Sequence, residues 1–216
     1  IDDTELYGKG IADVFVTTAA KLGMTVAGRD GIDGKASDYR AVATKVRAAK
    51  PDAVYYGGIT QNNAGKLLKD LRAAGVDAPF IGPDGIFEDA FIKDAGDDAE
   101  GVYCTFGGVP VTAYTGEAKA FAEKYAKLYG GNPEAYAIYG YEMTKVALAA
   151  IAKVNTKDRA AIRDAVFATK DFKGILGTWS FDANGDTTLT TMSVNEIKRG
   201  ADGHLDFELI EVVSAG

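Results

Sequence analysis

The chain is predicted to be an α/β protein, with a parallel, doubly wound sheet followed by helices of a second, incomplete lobe. Three observations lead there. Short apolar runs alternate with amphipathic helical patterns through residue 106, at intervals of roughly 25 residues, as parallel strand–helix–strand units require. Each apolar run stops at glycine, proline or an acid–glycine turn. After Gly107-Gly108-Val109-Pro110 three helical patterns follow one another with no strands between them, so they need a sheet to lie on.

The elements follow in order. Tyr7-Gly8-Lys9-Gly10 leads into a helix whose apolar face carries Ile11, Val14, Phe15, Ala19 and Leu22, with Gly23 as its stop. Residues 24–27 read as a strand and 28–34 as a glycine-rich loop. Asp38 is placed to cap a second helix with Tyr39, Val42, Ala43 and Val46 on its inner face, ended at Lys50-Pro51. Residues 53–56 form the next strand, broken by Gly57-Gly58 and followed by the loop Ile59-Thr60-Gln61-Asn62. Ala64, Leu67, Leu68 and Leu71 mark a third helix. Residues 79–81 form a strand that delivers Gly82-Pro83-Asp84-Gly85, residues 87–95 a short helix, and 102–106 another strand. In the later part, 118–129, about 132–154 and about 157–168 read as helices. Residues 189–197 and 205–213 read as two closing strands, with His204 solvated beside their turn.

Composition narrows the function. At 47% hydrophobic and 25% charged, the chain is an ordinary globular one. A net charge of −7 argues against nucleic acid as a partner. One cysteine, Cys104, excludes an internal disulfide, and with one histidine a structural zinc site or a histidine-based triad has too few members. Gly58 and Gly65-Lys66 miss the phosphate-loop spacing, and Leu67 stands where that motif has Ser or Thr. No nucleophile elbow is present. Asp94 to Asp98 and Asp182 to Asp186 lack the full calcium-loop pattern. The chain is therefore expected to bind rather than catalyse, with no metal and no cofactor.

Ligands of open α/β sheets sit beyond the carboxyl ends of the strands. There the sequence gathers residues 2–7, 30–34, 59–61 and 83–85. Asp84, held between a proline of fixed φ and a glycine, is aimed by a stiff turn.

Taken together, Asp3 with Tyr7-Gly8-Lys9-Gly10, Asp38-Tyr39, Val54-Tyr55-Tyr56-Gly57-Gly58, Gly82-Pro83-Asp84-Gly85 and Ala99-Glu100-Gly101 resemble the type I periplasmic solute-binding proteins. Among these the chain is most similar to the branched-chain amino acid binding proteins of ABC transporters. Gly177-Thr178-Trp179-Ser180-Phe181 through Gly185-Asp186 extend the resemblance over essentially the whole chain. It implies two lobes closing by a hinge on an amino acid. Residues 1–107 would be the second lobe, 108–186 a return segment of the first, and 187–216 hinge and closing strands. The start at Ile1-Asp2-Asp3-Thr4 resembles the end of a strand, so the chain is expected to be the C-terminal part of a longer protein. Its partner would be the missing first-lobe segment or a second copy. By resemblance Asp84 pairs with the ligand ammonium, Tyr7 closes over the ligand, and Tyr136 lines the side-chain pocket from the other lobe. Ile59, with Thr60 and Gln61 after it, stands where relatives carry a tyrosine, which widens the pocket. The resemblance also implies a membrane permease as partner and a periplasmic or extracellular location, membrane-associated if lipidated. A sensor or regulatory domain of the same fold, with an amide or other small solute as ligand, is the alternative.

Overall fold

A computed structural model describes residues 1–214; the last two residues of the expected closing segment 187–216 lie outside the described residues. The chain divides into two compact units. One holds residues 1–107 with 192–213, the other 108–191.

The first unit is built on a five-stranded sheet in the order β1–β2–β3–β6–β7. β1 (Val54–Tyr55), β2 (Phe80–Gly82) and β3 (Tyr103–Phe106) run parallel, with Val54 opposite Phe80 and Ile81 opposite Tyr103. β6 (Thr191–Arg199) joins β3 antiparallel, and β7 (Leu205–Ser214) forms the sheet's end. α1 (Leu6–Lys21) and α2 (Arg40–Ala49) precede β1, α3 (Ala64–Ala73) connects β1 to β2, and α4 (Asp89–Ala95) connects β2 to β3. The leucines at 67, 68 and 71 are all buried on α3, as their spacing requires. Phe80, Val102, Cys104, Phe106 and Ile197 fill the sheet's interior positions. Phe87 stacks between Phe106 and Phe207, at 4.8 and 4.3 Å. Each such buried side chain contributes about 1.5–3 kcal/mol of burial free energy.

Several expectations are corrected. Residues 24–27 form no strand. The bridges at this edge fall further on, where Asp2 pairs with Gly31 on one side and Gly57 on the other, and Met24 and Val26 stay exposed. On α1, Val14 and Leu22 are exposed, because the helix seats its small residues Gly8, Ala12 and Ala19 against the sheet. The N-cap position of α2 is Tyr39, whose N–H donates to the Asp70 carboxylate on α3 at 2.6 Å; Asp38, one residue earlier, accepts the backbone N–H of Arg40, the first residue of α2, at 3.3 Å and pairs with its guanidinium.

The second unit contains α5 (Gly116–Tyr129), α6 (Ala137–Val154), α7 (Arg159–Phe167) and a hairpin of β4 (Phe172–Gly174) and β5 (Gly177–Trp179). α6 starts at Ala137, not near Asn132, and the β4–β5 hairpin has no counterpart in the sequence reading. Asp158 caps α7 by accepting the N–H groups of Ala160 and Ala161. Tyr114, Ala122 and Ile138 form a small core with Phe121, Ile175 and Leu176. Glu142 of α6 is fully buried; its carboxylate accepts the Trp179 indole N–H at 3.0 Å and the Ile175 N–H at 3.2 Å. Leu128, Tyr129, Tyr141, Leu148 and Phe167 are exposed in this unit.

Candidate functional site

Three loops meet at the carboxyl edge of the parallel strands in the first unit. They are the lead-in to α1, the segment after β1 and the segment after β2.

The segment after β2 turns at Pro83, whose extended backbone hands over to a single 3₁₀ turn at Asp84–Ile86. Phe87 N–H returns to the Asp84 carbonyl at 2.9 Å and Ile86 N–H to the Pro83 carbonyl at 3.1 Å. Buried Ile86 and Phe87 anchor the far side of the turn. The Asp84 carboxylate is thus fixed by both backbone and packing.

Tyr7, in the first turn of α1, donates its hydroxyl to Asp84 Oδ1 at 2.6 Å. Partial burial, then this bond to a carboxylate, raise its pKa well above the ordinary tyrosine value, so the phenol stays a neutral donor. The Asp84 charge reaches further. Tyr55, in β1, is pushed up to about 12 by burial and by that charge. The buried Cys104 thiol is raised by the same two causes in the same order.

The segment after β1 is stitched to the Asp84 turn. Thr60, buried, donates its hydroxyl to the Gly85 carbonyl at 3.2 Å. Gln61 donates its side-chain amide to Glu88 Oε2 at 3.0 Å. Ile59 lies against Gly85, where a Cβ would come within 2.9 Å of Ile59 Cγ2. Five of the six residues singled out from the sequence — Tyr7, Ile59, Thr60, Gln61 and Asp84 — are therefore brought together in one unit. Tyr136 stands in the other, directly before α6 and 42% exposed.

Sequence reasoning missed two participants. Glu88 looks like a solvated acid at a helix start, and only the fold brings it to Gln61. Asn62 looks like a loop residue, yet it donates to the buried Asp3 carboxylate at 2.7 Å. The Asp3 motif was visible; its partner, 59 residues away, was not.

The family model described as periplasmic binding protein matches residues 1–203. The Leu/Ile/Val-binding protein homolog 1 of Brucella abortus is 31% identical over 209 residues, which is 96% of this chain and 55% of that protein. A leucine binding protein from Thermotoga maritima superposes with a TM-score of 0.85 at 28% identity, covering 99% of this chain and 59% of the other. The branched-chain amino acid transporter substrate binding protein of Streptococcus pneumoniae, in complex with isoleucine, superposes with a TM-score of 0.78 at 27% identity. Here 97% of this chain and 58% of the other are covered. The chain spans about half the length of the curated relatives it matches.

Proposed function

The chain belongs to the periplasmic binding protein family, and on that premise we propose that it forms the ammonium-holding part of an extracytoplasmic amino acid receptor serving an ABC importer. One observation carries the reading. Asp84 lies at the carboxyl edge of the sheet, aimed by the Pro83–Gly85 turn and held by the Tyr7 hydroxyl. An ammonium group withdrawn from water needs a charged acceptor, and a directed carboxylate supplies it.

Ile59 beside this turn offers an apolar surface to an aliphatic side chain, with Thr60 and Gln61 tying its loop to the turn. Tyr136 is the proposed contribution from the other lobe. The division of the chain after Gly107 supports assigning 1–107 to the second lobe and 108–186 to the first. The return of 192–213 to the first unit supports a hinge and closing role for 187–216. A missing first-lobe segment, or a second copy, would complete the cleft; a membrane permease would receive the ligand. No helix among the described residues is long and apolar enough to cross a membrane.

Calorimetry on the intact protein tests this with leucine, isoleucine, valine, alanine, phenylalanine, glutamate and the 2-hydroxy analogue of the best binder. The expected result is tight binding of an aliphatic amino acid that both the hydroxy analogue and Asp84→Ala abolish. Removing a buried ionic partner costs about 3–5 kcal/mol, a loss of two to three or more orders of magnitude in affinity. Absence of binding by every amino acid would overturn the reading and point to an amide or other neutral solute.

A further inference from the structure

We infer that Asp3 and Asn62 form a positioning clamp that sets Tyr7 against Asp84. Asp3 is 2% exposed. Its Oδ1 accepts the Glu5 N–H at 3.1 Å, its Oδ2 accepts the Asn62 amide at 2.7 Å, and its own N–H donates to the Gly57 carbonyl at 3.0 Å. One residue thus ties the lead-in of α1 to both ends of the loop after β1.

The surroundings are shaped for this carboxylate. A Cβ on Gly8 would collide with Asp3 Oδ1 and stand 2.5 Å from the Gly57 carbonyl, and a Cβ on Gly58 would stand 2.7 Å from Asp3 Oδ2. Two glycines vacate the space that Asp3 fills. The backbone contact between Gly8 and Gly57 brings the first turn of α1 directly onto the strand end. Thr4, directly after the two buried acids Asp2 and Asp3, is held at φ +62°, a strained value for a β-branched residue. Asp2 Oδ1 accepts its N–H at 3.1 Å. The chain entering α1 is therefore over-determined, and Tyr7 is the second residue of that helix. A shift of about 1 Å in this first turn would break the 2.6 Å bond to Asp84. The clamp bears on affinity only if Asp84 holds an amino acid, as proposed above; its effect on Tyr7 does not need a ligand.

The test exchanges the two clamp groups in the intact protein. Asn62→Asp sets carboxylate against carboxylate, and Asp3→Asn added to it restores one donor facing one acceptor. Asp3→Asn alone is expected to be mild, since the Asn62 amide can turn over. The ligand-free readout is the Cζ signal of Tyr7 in protein carrying 13C-tyrosine, assigned with Tyr7→Phe. Asn62→Asp should move that signal toward the position of a tyrosine without a carboxylate acceptor. It should also weaken leucine binding at least about tenfold and narrow the preference for leucine over its hydroxy analogue. The double variant should return all three. Asn62→Ala, which adds no charge, should move them the same way but less. An unmoved Tyr7 signal in Asn62→Asp, or a shift that the exchange does not reverse, overturns the clamp. A reversible Tyr7 response in a protein that binds no amino acid upholds the clamp and removes the proposed function.

Discussion

Glu142 shows how a single acid can be mistaken. In the sequence it is one more charged residue on a long helix, and nothing in the spacing separates it from solvated neighbours. Folded, it is fully buried and closes the bond to the only tryptophan. Gly174 lies so close that a Cβ there would strike the Glu142 carboxylate. Glu142→Ala strands the Trp179 and Ile175 N–H groups, at roughly 1–3 kcal/mol for each buried donor left unpaired. Urea unfolding should show the loss, with Glu142→Gln costing less because it keeps one acceptor. Asp84 was legible in advance because proline and glycine around an acid state its geometry locally. Glu142, Asn62 and Glu88 were not, because their partners lie 37, 59 and 27 residues away.

At the scale of elements, packing decides which apolar residues count. Leu67 on α3 is fully buried, whereas Val14 on α1 is 64% exposed despite an equally regular spacing. Leu67→Ala should therefore cost about 2–5 kcal/mol and Val14→Ala less than about 0.5, read as a difference in urea midpoints. The helices and the parallel order of β1, β2 and β3 were legible because periodicity and turn residues are written locally. The strand expected at 24–27 is not formed, because a strand exists only by pairing, and the bridge in this stretch falls past the apolar run, at Gly31 with Asp2. The β4–β5 hairpin escaped because its loop, Ile175-Leu176, is apolar and joins the unit's core rather than carrying turn chemistry.

Buried tyrosines give the whole molecule an alkaline limit. Tyr55 and Tyr114 are pushed up to about 12, chiefly by burial. Both ionise near 10 once unfolded, so above that pH the unfolded state alone loses protons. Stability present below about pH 10 should thus fall as pH rises toward 12, visible as a urea midpoint that declines between those values. The exposed Leu128, Tyr129, Tyr141, Leu148 and Phe167 of the second unit make a separate prediction. The 216-residue chain by itself should elute above its 22.7 kDa mass in gel filtration, and a clean monomer would contradict this. Cys104 carries one more consequence. It is the sole thiol, it lies in the middle strand of the sheet, and burial keeps it protonated. A thiol-specific reagent can therefore modify the protein only when that sheet opens. With fast reclosure, the modification rate measures how often the β3 region opens; stabilising ligands should slow it by the factor with which they suppress opening.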